Sequence, residues 1–319
     1  MSRKTGLLFD PIYQQHKTGM HPERPDRLSV TLALLQTSPI WCHLELISAV
    51  KADRDIIALV HDAKYIENLE QQIESGWEYV YSPDCAVSRK TFQVALYAVG
   101  GAVALVDRVL SSNIDNGFGL VRPPGHHAEY QAAMGFCFFN NIAICAEYLI
   151  KRKNYKRILI MDFDVHHGNG TQHFFEHRND VYYCSVHESP FSCYPGTGFE
   201  SDKGKGDGVG FTLNCPMDSG SGDKEYMTVL ENVFLPAWES YKPEFVLISA
   251  GFDAHVQDPL ANIRITEDTF AAYTKALCQI AETHCSGKLV SLLEGGYNLK
   301  VIPPLIEKHV SILMDFVNT

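Results

Sequence analysis

Two histidines stand side by side behind a Pro-Pro-Gly corner in RPPGHH (122–127), as His126 and His127. Both titrate near neutrality. A strand would send adjacent rings to opposite faces, so a tight loop is where both can lean toward one point. A second group follows an apolar run: RILIM leads into DFDVHHGNG, with Asp162, Asp164, His166, His167 and Asn169. Asp162, Asp164 and His166 recur at every second position, which places them on one face of an extended chain. A third run, EFVLISAG, is followed by Asp253, and a fourth ends in EGGYN with Tyr297.

Asp164, His166 and Asp253 together would make an open Asp-His-Asp metal site. Three protein ligands leave a position for water or substrate, as catalytic sites require. Mixed carboxylate and imidazole donors suit Zn²⁺ or Fe²⁺ better than Ca²⁺. Water activated by such an ion needs a base, and an amine leaving group needs an acid. A developing oxyanion needs a neutral donor as well, and Tyr297 could reach in to supply one. The two histidines can divide the proton work if their partners differ. A carboxylate such as Asp162 raises an imidazole pKa, whereas the amide of Asn169 leaves it lower.

Each group also has a plainer reading. Asp162 and Asp164 could cap a helix over 170–176, leaving His166 and His167 exposed. Tyr297 could simply pack against the last helix. Gly295 and Gly296 permit a close backbone approach or a positive φ.

The elements that must position these groups follow from the apolar pattern. Strands are expected at 6–9, 43–50, 117–121, 157–164, 181–186, 210–214, 244–250 and 288–295. Helices are expected at 26–36, 56–61, 64–74, 88–110, 141–153, 224–241, 267–285 and 302–316. Continuous apolar strands alternating with helices imply a parallel sheet covered on both faces. In such sheets ligands sit beyond the carboxyl ends of the strands, and each motif above follows a strand. The Gly- and Lys-rich stretch 191–207 joins two strands rather than two domains, so 1–319 reads as one α/β domain.

Hydrophobic residues make up 45% and charged residues 20%, ordinary for a globular protein. No 18 consecutive apolar residues occur, so no membrane span is expected. The first residues lack the apolar run and cleavage site of a secretion signal. Nine cysteines without a CxxC pair fit reduced thiols in a cytoplasmic protein. A net charge of −11 argues against a nucleic-acid surface and is compatible with a cationic substrate.

With these residues in hand, the chain resembles the histone deacetylase superfamily, which includes acetylpolyamine amidohydrolases. HPERPDR (21–27), RPPGHH (122–127), GFCFFNN (135–141), DFDVHHGNG (162–170), YPGTG (194–198), SAGFDAH (249–255), DP (258–259) and EGGYN (294–298) stand in the family's order. The match runs from about Tyr13 to Asn298, and Asn169 resembles the class II-type branch. The resemblance implies one arginase-like α/β domain around an eight-stranded parallel sheet. It implies zinc on Asp164, His166 and Asp253, with His127 as general base and acid beside Asn169. His126, paired with Asp162, would be the electrostatic partner, and Tyr297 the donor to the scissile carbonyl.

The same resemblance makes Phe136, in the Gly135-Phe136 turn, and Tyr194 the aromatic walls of an acyl-lysine tunnel. Most members carry Phe or His where Tyr194 stands. Leu260 matches a rim position where Glu marks polyamine-specific members, and Asp84 in SPDC matches a rim carboxylate. Arg27 resembles the arginine of an internal acetate channel. A structural K⁺ would draw on Asp162, Asp164, His166, Ser185 and the backbone of Phe175. His16, His21, His61, His173 and His187 are expected to be packing or surface residues, and Cys137 and Cys145 core.

The expected substrate is acetylated lysine in proteins or peptides, with acetylpolyamine the alternative. Burying each methylene of a lysine stem would contribute roughly 0.8 kcal/mol. A non-catalytic acyl-lysine binding module would have lost Tyr297, a metal ligand or the histidine pair. A two-metal arginase-like hydrolase would need a second set of Asp and His ligands. Oligomeric state is left open.

Overall fold

The computed structural model describes residues 3–315. Eight strands form one parallel sheet: β1 (Thr5–Leu8), β2 (Glu45–Ile47), β3 (Asn116–Gly119), β4 (Ile158–Asp162), β5 (Val181–Glu188), β6 (Thr212–Met217), β7 (Phe245–Ala250) and β8 (Leu289–Leu293). Their spatial order is β2-β1-β3-β8-β7-β4-β5-β6. Every residue of β4, β7 and β8 is buried, as continuous apolar strands require when both faces are covered. The helices are α1 (Asp26–Thr37), α2 (Arg54–Ile57), α3 (Ala63–Glu74), α4 (Thr91–Leu110), α5 (Asn141–Lys153), α6 (Asn169–Phe175), α7 (Asp223–Val229), α8 (Leu235–Tyr241), α9 (Glu267–Cys285) and α10 (Ile302–Asp315).

Local chemistry explains where elements begin and end. The Asn140 side chain caps α5 by accepting from Ala143 N at 3.0 Å, and Asn154 closes it in the left-handed region at φ 64°. Thr266 caps α9 in the same manner. The expected helix 224–241 is broken: α7 and α8 are joined by a π turn at Leu230–Phe234. Pro236 has no N–H to donate, and the hydrogen-bond pattern shifts register just ahead of it.

The strand expected over 43–50 shrinks to β2, an edge strand with one neighbour, and 210–214 becomes β6 because Gly210 turns at φ 90°. Residues 56–61 are helical only through Ile57, within α2. Phe316, placed in the last helix by periodicity, lies outside the described residues. By length and composition α4 is apolar enough to cross a membrane, although it holds no unbroken run of 18 apolar residues. It is a core helix, packed on β1, β3, β8 and α5.

The topology decides the site. The motifs follow β3, β8, β7 and β4, and these are four contiguous strands in the middle of the sheet. Beneath them a buried ion cluster ties distant motifs together. Glu23 accepts from Arg122 through both carboxylate oxygens and from Arg27 Nη1 at 3.2 Å. Arg122 also donates to Tyr13 O at 3.1 Å. Burial would raise the Glu23 pKa, but Arg122 and His16 hold it well below the usual range.

Glu23→Gln keeps the size but leaves two buried guanidinium groups without a counter-charge. It should cost about 3–5 kcal/mol in urea unfolding at neutral pH. Because the folded-state pKa is depressed, the contribution is present above the unfolded value and lost as pH falls through the folded one. The wild-type advantage should therefore narrow in acid; a constant or negligible difference would refute this role for Glu23.

Candidate active site

Beyond the ends of the four central strands, Asp164, His166 and Asp253 each offer a ligand atom, all within 4.8 Å of one another. His166 Nδ1 lies 3.1 Å from Asp164 Oδ1 and 3.2 Å from Asp253 Oδ2. Asp253 Oδ1 accepts from Val165 N at 2.9 Å, whereas its Oδ2 is buried without a hydrogen bond of sound geometry among the described residues. A buried carboxylate oxygen left over in this way fits a cation. Burial would lower the His166 pKa, but the adjacent Asp164 and Asp253 carboxylates raise it well above its usual value. Asp253 is itself raised by burial and by the Asp164 charge. This carboxylate-imidazole trio suits a transition metal.

Such crowding depends on glycine. A Cβ on Gly295 would stand 2.0 Å from Asp253 Oδ2, and Gly295 N donates to Asp164 Oδ2 at 2.7 Å. The capping alternative for the acidic pair fails. α6 starts from Gly168 with no side-chain cap, and His166 and His167 are buried rather than exposed. His167 instead bridges Thr197 Oγ1 and Gln172 Oε1, each at 2.8 Å.

The paired histidines have opposite surroundings. His126 Nδ1 is 3.0 Å from Asp162 Oδ2. Burial opposes its charge, but Asp162, Asp164 and Glu294 overcome that and raise it to about 10. His127 Nδ1 is 2.7 Å from Asn169 Oδ1. Burial, reinforced by His126 and His166, lowers its pKa well below the usual value. An amide oxygen only accepts, so His127 carries its proton on Nδ1 and keeps the Nε2 lone pair free. The Asn169 amide is oriented by a hydrogen bond from its Nδ2 to Glu129 Oε1. Sequence reasoning missed Glu129, which lies two positions beyond the motif.

Glu294 and Asp258 were missed too, although both lie in quoted motifs. Glu294 Oε2 accepts from Gly125 N at 2.6 Å and His126 N at 3.2 Å, holding the histidine loop. Its position at a strand end was the available signal. Asp258 Oδ2 accepts from Tyr297 N at 2.7 Å and its Oδ1 from Leu260 N at 3.0 Å. Tyr297 is half-buried. Burial and the Asp253 charge raise its pKa well above the usual value, which keeps the phenol protonated as a donor.

A cavity of about 250 Å³ is lined by Asp84, His127, Gly135, Phe136, His166, Tyr194, Leu260 and Tyr297, so every residue assigned to a substrate tunnel is present in it. Phe136 meets Tyr297 edge-on at 5.9 Å, and Tyr194 meets His127 at 5.2 Å. Tyr297 is thus a wall of the cavity, not only packing for α10. Gly135 takes φ 55°, and a Cβ there would lie 2.3 Å from His127 Cδ2. Asp84 Oδ2 accepts from Gly135 N at 3.2 Å. His21, expected to be packing, stands edge-on behind Phe136 at 4.4 Å.

Arg27, Ser185 and Phe175, assigned by the resemblance to an acetate channel and a potassium site, take the following positions. Arg27 donates to Gly296 O at 2.7 Å and Glu294 O at 2.6 Å, and its guanidinium lies 4.9 Å from the Tyr297 ring centre. It therefore braces the turn that presents Tyr297. Of the residues assigned to potassium, Ser185 is in register with Asp162, and its Oγ is 2.7 Å from His187 Nδ1. Phe175 stands at the opposite end of α6 from Asn169, with its carbonyl oxygen accepting from Arg178 N at 2.9 Å.

The comparisons agree with this geometry. A family profile described as "Histone deacetylase domain" matches residues 21–313. A probable deacetylase of Archaeoglobus fulgidus is 37% identical over 299 residues, 93% of this chain and 82% of that protein. The Pseudomonas aeruginosa histone deacetylase-like amidohydrolase is 35% identical, covering 95% of this chain and 84% of its own length. The crystal structure of the HDA15 HD domain superposes with a TM-score of 0.91 at 35% identity, over 98% of this chain and 88% of that one. The parallel eight-stranded architecture and the family profile lead to one conclusion: this chain belongs to the histone deacetylase family.

Proposed function

We propose that this family member is a zinc-dependent amidohydrolase that removes acetyl from the ε-amine of acetyl-lysine in proteins or peptides. The observation that carries the reading is the aromatic-walled cavity that reaches His166, the central member of the Asp164-His166-Asp253 cluster, beside His127 and Tyr297. A Zn²⁺ held by those three side chains would supply Lewis acidity toward the amide carbonyl and the attacking water. His127 Nε2, unprotonated because Asn169 holds the proton on Nδ1, takes a proton from water as oxygen bonds to the carbonyl carbon. The same nitrogen then delivers that proton to the amine as the C–N bond breaks, leaving acetate and free lysine. His126, kept cationic by Asp162, adds positive potential beside the reacting centre. The Tyr297 hydroxyl donates to the carbonyl oxygen as negative charge grows there.

Phe136 and Tyr194 enclose the lysine stem, and Asp84 at the rim accepts from backbone N–H groups of a peptide. Leu260 supports peptide over polyamine, because a distal ammonium would gain no carboxylate from it. The test is a kcat/KM panel of acetyl-lysine peptides, acetylputrescine and acetylspermidine on protein of measured metal content. Peptides should lead, with about one zinc per chain; leading polyamines would overturn the substrate assignment.

Tyr297→Phe should leave folding and zinc content unchanged and lower kcat by roughly 100- to 1000-fold, with little change in KM, because one oxyanion donor is lost. Near-normal turnover would reduce Tyr297 to a wall residue. His127→Ala should lose more activity than His126→Ala, since the first removes the proton carrier and the second an electrostatic aid. Steady-state rates in the reverse order would exchange the roles.

A further inference from the structure

A second cavity, of about 550 Å³, opens directly off the tunnel mouth and shares Asp84 and Tyr194 with it. Its remaining walls are Tyr81, Pro83, Ala133 and Met134, with Ser82 and Ala132 between them. The carboxylate at the junction is held in place, because Asp84 accepts from Ser82 Oγ as well as from Gly135 N. The polar end therefore faces the tunnel, and the apolar end lies away from it.

Tyr81 sets the character of this shelf. Its φ is 58°, in the left-handed region where a bulky side chain is rare. Ser82 N donates back to Val80 O at 2.6 Å, so the chain makes a three-residue turn centred on Tyr81. Around it, Val80 N donates to Cys85 O at 3.1 Å and Val87 N to Glu78 O at 2.8 Å, which closes the loop on itself. The ring leans edge-on against Tyr65 at 5.2 Å, and the Tyr65 hydroxyl is tied to Phe138 O at 2.6 Å. An aromatic side chain is thus held 41% exposed on a rigid seat at the edge of the site. Such an arrangement suits recognition, because a ring fixed in advance loses little freedom on binding.

We infer that this shelf is a specificity subsite for an aromatic or large aliphatic side chain next to the acetylated lysine of a peptide, with Tyr81 as its platform. The inference rests on the acetyl-lysine reading above. Consecutive Cα atoms are about 3.8 Å apart, so a residue adjoining a lysine seated in the tunnel comes within reach of this rim. Asp84 at the junction meets the peptide backbone, and the apolar walls beyond it meet the side chain. With Asp84 turned to the peptide backbone, the remaining walls offer a basic neighbour no further carboxylate.

The test uses the full chain and acetyl-lysine peptides with Phe, Leu, Ala, Glu or Arg placed on either side of the lysine. A minimal acetyl-lysine amide without neighbours serves as control. Phe or Leu on one side should raise kcat/KM roughly three- to tenfold over Ala, the size expected of an aromatic contact. Tyr81→Phe should keep the preference. Tyr81→Asn, which tolerates the left-handed turn, should abolish it while leaving the minimal amide unchanged. Equal rates for all neighbours, a preference for Arg, or a preference that survives Tyr81→Asn would overturn the subsite alone. Turnover of acetylpolyamines without turnover of any peptide would overturn the acetyl-lysine reading and the subsite with it.

Discussion

Four carboxylates, Asp162, Asp164, Asp253 and Glu294, are buried together at the carboxyl end of the sheet, and the surrounding structure answers to that constraint. Taking one carboxylate out of water without a partner costs several kcal/mol, so four in one place demand compensation from every side. Backbone N–H groups of Gly295, Val165, Gly125 and His126 provide part of it, and His126 provides positive charge. Glycine at 295 is what lets the chain come close enough for such bonds. The buried Asp253 Oδ2 remains over, which is why the cluster suits a cation.

Two identical side chains, adjacent in sequence, acquire different chemistry from the groups behind them. His126 backs onto a carboxylate, and His127 onto an amide. The distinction extends outward, since Glu129 orients the Asn169 amide and that amide sets the His127 tautomer. Under the proposed reading, this asymmetry separates an electrostatic group from a proton carrier at one loop.

Below the site, the Glu23–Arg122–Arg27 cluster links the first helix, the histidine loop and the Tyr297 turn into one rigid block. Asp258 does a related job from above by tying Leu260 at the rim to the backbone of Tyr297. Neither feature touches the reacting atoms, yet both determine where the phenol stands. A displacement of about 1 Å at such a position can cost 100-fold in rate, so these supports belong to the catalytic design.

Much of this was legible in the sequence because local rules govern it. Apolar runs such as ILIMD and FVLISA have to be buried strands, and polar residues just past them have to sit at one edge of a parallel sheet. The donor types in DFDVHH, GFD and EGGY carry metal and proton chemistry whatever encloses them. The tertiary structure alone decided that β3, β8, β7 and β4 lie side by side, because strand order follows from crossover connections that leave no periodic trace. Glu129, Glu294 and Asp258 went unassigned for the same reason: a carboxylate facing solvent and one facing a histidine loop look alike until the chain folds. The shelf under Tyr81 is a further case, since its left-handed backbone depends on hydrogen bonds between residues 78 and 87 that sequence spacing does not encode. Composition and periodicity determine what must be buried and which groups can react; only folding determines which buried group faces which.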